Sequence, residues 1–290
     1  MPGSHEKLVS VIIPFYNGKA HIEEAILSVL NQTYKNIEIV VIDDCSPSKK
    51  DREFIIELST KYDFKLHCNN YNRGTSSSIA SGVEQSNGDF ISIFSHDDIY
   101  VKDKIEKQIN YLNEYPEKCC VYGAMKEFNS NSNKTRTRSV SSAFSAIDYL
   151  RKLNDDEILK KFFLDGIKMP FYIQTLLVKR DLALQELVPI WYKSKADVFP
   201  IKFHLCLNHI NEIGIINEPL TLYRKHNSNV SSDNLKMFEL NLDTIMKFCP
   251  PQFQKQAIAR ILPLIGDCQE QSRGLLLKDK INKFLKSFLS

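Results

Sequence analysis

The chain has 290 residues, of which 43% are hydrophobic and 25% charged, and its formal net charge is +3. This length can bury a sizeable core in one domain or one and a half, and the weak charge argues against nucleic-acid binding. No apolar stretch approaches the roughly 20 residues of a transmembrane helix. The seven cysteines form no CxxC pair, which favours reduced thiols over a disulfide framework or a zinc site. The first residues lack the apolar segment of a signal peptide, so we expect a cytoplasmic protein.

The first hundred residues alternate between apolar runs and segments with helical periodicity. The apolar runs are rich in β-branched residues, as buried strands are, and the segments between them repeat apolar residues on one helical face. In chain order the predicted strands cover residues 8–15, 37–42, 64–67 and 89–94, each followed by a predicted helix. Because this alternation is typical of right-handed βαβ units, we predict an α/β fold with a mostly parallel sheet flanked by helices.

Beyond residue 128 the pattern is less regular. Residues 129–142 are polar and lack periodicity, which predicts a loop. We predict a further strand over residues 173–178, and helices over residues 145–165, 198–207 and most of the chain from residue 232 onward.

The end of the chain is basic and amphipathic. Residues 275–290 (LLLKDKINKFLKSFLS) combine an apolar stripe with four lysines. This pattern is typical of helices that lie on a membrane surface, and it would then give a peripheral contact at the inner face of the cytoplasmic membrane. A helix packed on its own domain or on a second subunit would show the same stripe, so both interpretations stay open.

Polar side chains stand where the predicted strands end. The four are Tyr16, Asp44, Asn72 and Asp97. The carboxyl ends of parallel strands meet at one edge of the sheet, where open α/β sheets bind ligands. Asp97 and Asp98 are adjacent carboxylates that repel each other, and a divalent metal bound to a diphosphate would remove that repulsion. Oxygen ligands of this kind suit Mg²⁺ or Mn²⁺, whereas the alternative interpretation of the pair is a simple turn.

Four segments of the sequence occur in a characteristic order. They are SVIIPFYN from residue 10, SVLNQTYKNIEIVVIDDCSPSK from residue 28, NRGTSSSIASGVEQSNGDFISIFSHDD from residue 72 and INEPLTLYRKHNSNVS from residue 216. In these segments the chain resembles the family 2 glycosyltransferases of the GT-A fold, above all the bacterial enzymes that build O-antigen, capsule or related surface glycans. The resemblance implies a GT-A domain over residues 1–230, with a nucleotide-binding half over about 8–100 and an acceptor-binding half over about 101–230. Residues 231–290 would form a helical extension.

The resemblance implies a nucleotide site at the first strand ends. In this family the residues matching Pro14, Tyr16 and Asn17 lie beside the base, and the residue matching Asp44 accepts a hydrogen bond from a ring nitrogen. A carboxylate requires an N–H there, so uracil or thymine suits better than cytosine. The nucleotide-binding set is completed by Asn72, Gly74, Asp97 and Arg224. The family often has Arg-Asn where this chain has Ile79 and Ala80, which removes one contact to the base or phosphates.

The resemblance also implies a divalent metal, Mn²⁺ or Mg²⁺, at the diphosphate. Asp97 matches the metal-binding end of the family's Asp-x-Asp motif, and Asp98 lies next to it. Ser95 stands where the first Asp of the motif is common. Arg224 and His226 would close over the diphosphate from the C-terminal side, since both can donate to phosphate oxygens. We therefore predict Asp97, Asp98 and His226 as metal-site residues.

The catalytic base is predicted from the same resemblance. The family supplies its base from an acidic pair that precedes an amphipathic helix, and Asp197 is the matching carboxylate, with Ala196 in place of the usual Glu. A helix N-cap is the other interpretation of Asp197, and Pro200 in the first turn is compatible with it. Trp191 and Tyr192, just upstream, would either stack on an acceptor sugar or pack in the core. We predict that His204 and His209, like His21 and His67, have no constellation around them and are structural or solvated residues and not ligands.

The resemblance implies an inverting, metal-dependent transfer of a sugar from a UDP-sugar donor to a hydroxyl of a lipid-linked saccharide. Two alternatives stay open at the level of the sequence. A sugar nucleotidyltransferase also uses an α/β nucleotide site, but it usually has a Gly-rich, basic signature near the first strand, which this chain lacks. A non-catalytic nucleotide-sugar-binding module would be compatible with the substitutions at Ser95, Ile79 and Ala196.

Overall fold

The structure is a computed structural model and describes residues 6–129, 135–167, 169–226 and 229–266. Its strands are β1 (Val9–Phe15), β2 (Ile37–Asp43), β3 (Lys65–Cys68), β4 (Phe90–Ile93), β5 (Ile99–Tyr100), β6 (Cys120–Phe128), β7 (Thr135–Arg138), β8 (Leu177–Lys179) and β9 (Ile213–Arg224). The helices are α1 (Ile22–Leu30), α2 (Lys49–Tyr62), α3 (Thr75–Glu84), α4 (Lys104–Glu114), α5 (Ser141–Leu150), α6 (Asp155–Lys160), α7 (Arg180–Leu182), α8 (Val188–Lys193), α9 (Phe199–Asn208), α10 (Asn234–Phe248), α11 (Pro251–Ile261) and α12 (Pro263–Gly266). Two π-helical turns, Lys161–Asp165 and Ala183–Leu187, and two 3₁₀ turns, Ile173–Thr175 and Val230–Ser232, complete the elements.

The first four strands form the predicted parallel half of the sheet. They lie in the order β3-β2-β1-β4, and every neighbouring pair is parallel. The side chains of β1 are almost entirely buried, because α1, α3 and α4 cover the two faces of this half. A strand buried on both faces needs a continuous apolar run, and this is why the sequence predicted β1, β2 and β4 well.

The second half of the sheet is mixed. Strand β8 is antiparallel to both β4 and β6, β6 is parallel to β9, and β5 and β7 are antiparallel to β9 and β6. Only the first four strands are parallel throughout, and in the second half the β6–β9 pair is the parallel one among the described strands. The sequence did not predict β9, whose run is interrupted by Asn217, Glu218 and Pro219, and the register of β6 on β9 shifts around Ala124 next to this interruption. The predicted loop over residues 129–142 contains the exposed edge strand β7 and the first residues of α5.

Helix α3 approaches β1 so closely that it needs a glycine. A Cβ atom at position 82 would lie 2.3 Å from Cγ2 of Ile12, a fully buried residue of β1. This contact fixes the height of α3 above the sheet. The N terminus of α3, at Gly74 and Thr75, is thereby placed beside the carboxyl ends of the strands.

We expect Gly82→Ala to destabilise the fold by about 1–2 kcal/mol. Overpacking a core costs about 1–3 kcal/mol, which exceeds the gain of about 1 kcal/mol for replacing a helical glycine by alanine. Urea unfolding followed by circular dichroism measures the difference. Ser77→Ala, a substitution at a partly exposed site on the same helix, is the matched control and should stay within about 0.5 kcal/mol of wild type. A Gly82→Ala protein as stable as the control would contradict the tight packing of α3.

The chain divides into two compact units. The first contains residues 1–152 and 168–225 and holds the sheet, and the second contains residues 153–167 and 226–290. In the second unit α10 and α11 pack together, and Arg260 Nε donates to the carbonyl oxygen of Phe163 at 3.0 Å. The predicted boundary at residue 230 lies close to this division, but residues 153–167 fall in the second unit. The predicted amphipathic tail, 275–290, lies outside the described residues. None of the described helices has the length and apolar character needed to cross a membrane.

Candidate active site

The turn after β1 lies against the loop after β2. Tyr16 is exposed, and Asn17 adopts a left-handed backbone conformation with φ of 50°. The backbone N–H of Asn17 donates to Ser46 Oγ at 3.0 Å, and the N–H of Asp44 donates to the carbonyl oxygen of Phe15 at 2.8 Å. These bonds bring the predicted base-contacting residues of both strands together, with Pro14 immediately before them in β1.

Asp44 organises the loop that leads into α3. Its carboxylate is buried, and Oδ1 accepts hydrogen bonds from Asn69 Nδ2 at 2.9 Å and from the backbone N–H of Arg73 at 2.8 Å. Oδ2 accepts from the backbone N–H of Gly74 at 2.7 Å, where the positive φ of 86° suits glycine. Asp44 thus fixes the position of Gly74, while Asn72 lies exposed beside it.

Asp43 is a residue of this site that sequence reasoning did not single out. Its Oδ1 accepts from the backbone N–H and the hydroxyl of Ser46, at 3.1 and 2.6 Å. Its Oδ2 is buried and has no hydrogen-bond partner among the described residues. The Asp-Asp-x-Ser spacing was the signal that could have identified it, because the serine donates hydrogen bonds to the first Asp and not to the second.

The turn after β4 holds two carboxylates in different environments. Asp97 is partly exposed, whereas Asp98 is buried and its Oδ1 accepts from the backbone N–H of Arg224 at 2.9 Å. Oδ2 of Asp98 is buried without a hydrogen-bond partner in the described chain. Burial first, and then the charge of Asp97, raise the pKa of Asp98 well above its usual value. A hard divalent cation would offset both effects, so the donor set at this turn fits Mg²⁺ or Mn²⁺.

Arg224 clamps this turn. Its side chain is almost fully buried, and Nε donates to the carbonyl oxygen of Asp97 at 2.9 Å. The guanidinium also pairs with Glu24 of α1 and stacks 4.7 Å from the ring centroid of Phe128. The predicted contact between Arg224 and a diphosphate stays a prediction. His226 opens the second unit, where its backbone N–H donates to Asn229 Oδ1 at 2.7 Å, and its predicted metal role also stays a prediction.

His96 links the two turns of the site. Its imidazole lies so close to Gly18 that a Cβ there would be 2.2 Å from the ring, and its ring centroid is 5.9 Å from that of Phe15. Any larger residue at position 18 would displace His96. The sequence showed only that His96 occupies the variable position between Ser95 and Asp97, so this contact could not be predicted from it.

Asp197 lies between α8 and α9 and does not cap the helix. The N-cap residue of α9 is Val198, and no side chain caps the helix there, so the capping interpretation is not supported. Burial raises the pKa of Asp197, although hydrogen bonds from its own N–H and that of Val198 oppose the shift. Trp191 is fully buried and its Nε1 donates to the carbonyl oxygen of Asp197 at 3.1 Å, so Trp191 packs and supports the segment. A raised pKa brings a carboxylate closer to the range in which a general base works best.

Helix α3 connects the loop held by Asp44 with the segment that carries Asp197. At its start, Ser76 Oγ donates to the carbonyl oxygen of Lys195 at 3.1 Å. Tyr192 is exposed, its hydroxyl hydrogen-bonds with Glu84, and Arg73 stacks 5.4 Å from its ring centroid. The loop held by Asp44 and the segment that carries Asp197 therefore share one rigid element, which Gly82 seats on β1.

The sequence matches the family model described as "Glycosyl transferase family 2" over residues 10–187. An uncharacterized glycosyltransferase of Haemophilus influenzae is 31% identical over 176 residues, which cover 60% of this chain and 63% of that protein. WfgD of Escherichia coli, named a UDP-Glc:alpha-D-GlcNAc-diphosphoundecaprenol beta-1,3-glucosyltransferase, is 38% identical over 105 residues, or 36% of this chain and 41% of that protein. Among several rickettsial relatives the chain covers only 18–35% of their length.

Two solved structures share the fold. Staphylococcus aureus TarS 1–349 in complex with UDP-GlcNAc superposes with a TM-score of 0.54 at 17% identity, over 89% of this chain and 72% of that one. The mannosyltransferase PcManGT of Pyrobaculum calidifontis, in complex with GDP-Man and Mn²⁺, gives a TM-score of 0.54 at 15% identity, over 98% of this chain and 83% of that one. The predicted GT-A fold is confirmed by these similarities.

Proposed function

The chain belongs to glycosyl transferase family 2, and we propose that it is an inverting enzyme that transfers a sugar from a UDP-sugar to a hydroxyl of a saccharide acceptor in surface polysaccharide biosynthesis. The observation that carries the proposal is the meeting of three parts at the carboxyl edge of the sheet: the Tyr16 turn, the Asp44 loop and the Asp97–Asp98 turn. The name of the relative WfgD, a UDP-Glc transferase, and the UDP-GlcNAc in the TarS structure support a UDP-sugar donor.

Each part of the edge has a role in this proposal. Tyr16, Asn17 and the Asp44 carboxylate receive the base, while the backbone at Gly74 and the Arg224 clamp shape the space for the diphosphate. Asp97 and Asp98 would hold Mg²⁺ or Mn²⁺, which supplies positive charge to the leaving diphosphate when it is bound. Asp197 takes the proton from the acceptor hydroxyl as that oxygen attacks the anomeric carbon from the face opposite the leaving group.

The acceptor and the membrane contact are finer parts of the proposal. A lipid-linked saccharide is supported by the name of the relative WfgD, which specifies a diphosphoundecaprenol-linked sugar as its acceptor. Such an acceptor lies at the inner leaflet, and the basic amphipathic pattern of residues 275–290, which lie outside the described residues, is typical of segments that bind a bilayer surface.

A donor screen tests the proposed function. Thermal unfolding is measured with UDP-, GDP- and dTDP-sugars in the presence of Mg²⁺ or Mn²⁺, followed by turnover assays with the donor that binds. A ligand that binds only the native state raises the melting temperature, and the shift depends on its concentration. We expect a UDP-sugar to give the largest shift. Binding without any transfer to a saccharide would favour a binding module, and release of UDP-sugar from UTP and a sugar phosphate would favour a nucleotidyltransferase.

We expect Asp44→Asn to lower the affinity for UDP by about 10–100-fold, because a hydrogen bond to a charged group contributes about 1.5–3 kcal/mol. The amide can also donate to the ring nitrogen of cytosine, so the preference for UDP over CDP should shrink or reverse. Calorimetry with both nucleotides measures this. A general loosening of the loop would weaken both nucleotides equally. An equal loss of affinity for UDP and CDP, or no loss at all, would contradict base recognition by Asp44. The comparison variant is Asp43→Asn, in which the side-chain oxygen can still accept from Ser46.

A further inference from the structure

Three side chains of the first unit converge on one point away from the proposed donor site. Glu186 lies in the π-helical turn Ala183–Leu187, His204 lies on α9, and His209 follows the last turn of that helix. Nε2 of His204 and Nε2 of His209 lie 2.6 and 2.9 Å from the same oxygen, Oε2 of Glu186. The prediction that the two histidines have no constellation around them is therefore wrong.

The cluster lies at the opposite edge of the sheet from Asp97. The backbone N–H of Cys119, which precedes β6, donates to the carbonyl oxygen of Glu212 at 2.9 Å, so the His209–Glu212 turn adjoins the amino end of β6. Strand β8 is antiparallel to both β4 and β6, which makes β4 and β6 parallel to each other, with their amino ends on one side. Asp97 follows the carboxyl end of β4. The cluster is thus independent of the donor's metal.

The three ligand atoms form a donor set that zinc accepts. Two imidazole nitrogens and one Glu oxygen, with a fourth position left for water, are a common zinc ligand set in proteins. With bonds of about 2.0–2.1 Å and tetrahedral angles, the ligand atoms would be about 3.3 Å apart. The distances of 2.6 and 2.9 Å from Oε2 of Glu186 to the two nitrogens would therefore lengthen by about 0.7 and about 0.4 Å. The side chains are partly exposed, at 35% for Glu186, 23% for His204 and 16% for His209, so an ion can reach them from solvent.

The surroundings of the two imidazoles are also those of a metal site. Nδ1 of His209 is buried, makes no hydrogen bond within the described chain, and lies 3.4 Å from Oε1 of Glu212. A histidine ligand usually directs its second nitrogen at a carboxylate, which fixes the tautomer and raises its basicity. The side-chain amide of Asn208 lies 3.1 Å from Nδ1 of His204.

We propose that Glu186, His204 and His209 bind one Zn²⁺ ion, separate from the cation of the donor site. The ion would tie the C-terminal end of α9 to the turn Ala183–Leu187. Because α9 begins directly after Asp197 and Val198, this tie would hold in place the helix that positions the proposed base. A second set, Cys119, His209 and Glu212, shares His209 and also brings its ligand atoms within 4.8 Å of one another. We prefer the first set because both of its imidazoles already converge on a single carboxylate oxygen.

The experiment uses the full chain without an affinity tag, in excess Mg²⁺ so that the hard oxygen site is filled. After incubation with ZnCl₂ and desalting, we expect one zinc per chain by elemental analysis. The spectrum of the Co²⁺-substituted protein, which needs no substitution in the chain, identifies the ligands: d–d bands without a thiolate-to-cobalt charge-transfer band indicate the Glu186 set. A charge-transfer band, or no retained zinc, would overturn the proposal.

Variants then locate the ion. Glu186→Gln and His204→Gln should each lower zinc affinity by more than 100-fold, whereas Glu212→Gln, which leaves all three ligands in place, should lower it by about 10–100-fold. His67→Gln, on β3, is the control and should bind as wild type does. Zinc affinity that is unchanged in His204→Gln, or that is lost in Cys119→Ser but not in Glu186→Gln, would assign the ion elsewhere and overturn the proposal.

Discussion

Replacing Asp97 by Asn is expected to reduce sugar transfer by at least about 10³-fold while the chain stays folded. The loss of one group that stabilises developing charge in a transition state commonly costs about 10²–10³-fold, and the loss of the metal removes more than one such interaction. Asn keeps the size of the side chain, and the carbonyl oxygen of Asp97, which accepts from Arg224 Nε, is unaffected. The rate of UDP release with saturating Mn²⁺ or Mg²⁺ measures the effect.

The control for this variant is Asp63→Asn. Asp63 is exposed at the C-terminal end of α2 in a left-handed conformation, with φ of 50°, which Asn also accepts readily. This protein should transfer sugar at the wild-type rate and lose its activity in excess chelator, as wild type should. Full activity of Asp97→Asn, or of wild type in chelator, would refute the metal assignment. Asp98→Asn tests the contribution of the second carboxylate by itself, because Asn can still accept the hydrogen bond from the N–H of Arg224.

The sequence predicted the part of the fold whose physics is local. Strands β1, β2 and β4 are buried on both faces, so their apolar runs are continuous and their ends are marked by polar residues. Because parallel strand ends meet at one edge, Tyr16, Asp44 and Asp97 could be brought to one edge before the structure was known. To place these residues at one edge, the prediction needed only the strand pattern of the sequence and the handedness of the connections between parallel strands.

The parts that the sequence missed depend on contacts between distant segments. Strand β9 is stabilised by its pairing with β6, although Pro219 interrupts its apolar run. Strand β6 lies about ninety residues upstream in the sequence. The clamp made by Arg224 requires Glu24 and the Asp97 carbonyl oxygen to be adjacent in space. The histidine cluster combines a π-helical turn with the end of α9, and no spacing rule relates Glu186 to His209. Such sites appear only when the tertiary structure is known.

The roles of Trp191 and Tyr192 show how burial decides between two interpretations of one sequence pattern. Both are aromatic residues near Asp197, and the sequence alone left stacking on a sugar and packing in the core equally open. Trp191 is fully buried and supports the Asp197 carbonyl oxygen, whereas Tyr192 is exposed against Arg73. An acceptor sugar can therefore reach only Tyr192 of the two.

Replacing Asp197 by Asn is expected to slow transfer by about 10²–10⁴-fold, the usual contribution of a general base, while the affinity for UDP changes little. Asn has nearly the same size and can still accept the backbone hydrogen bonds, but it cannot take a proton. Because burial raises the pKa of Asp197, the wild-type rate should fall as the pH drops below that raised pKa, where the carboxylate is protonated, and should level off above it. The residual rate of the variant should not show this fall at low pH.

The comparison variant is Asp181→Asn, which removes an exposed carboxylate of the short helix α7 in the same unit. It should retain both the wild-type rate and the pH profile. Single-turnover rates between pH 5 and 8, with UDP affinity measured in parallel, separate a chemical defect from a binding defect. A structural role for Asp197 would lower the rate and the UDP affinity together, because its segment contacts α3 through Ser76, and would leave the shape of the pH profile unchanged. Near-normal transfer by Asp197→Asn would refute the base assignment and make Asp98 the next candidate.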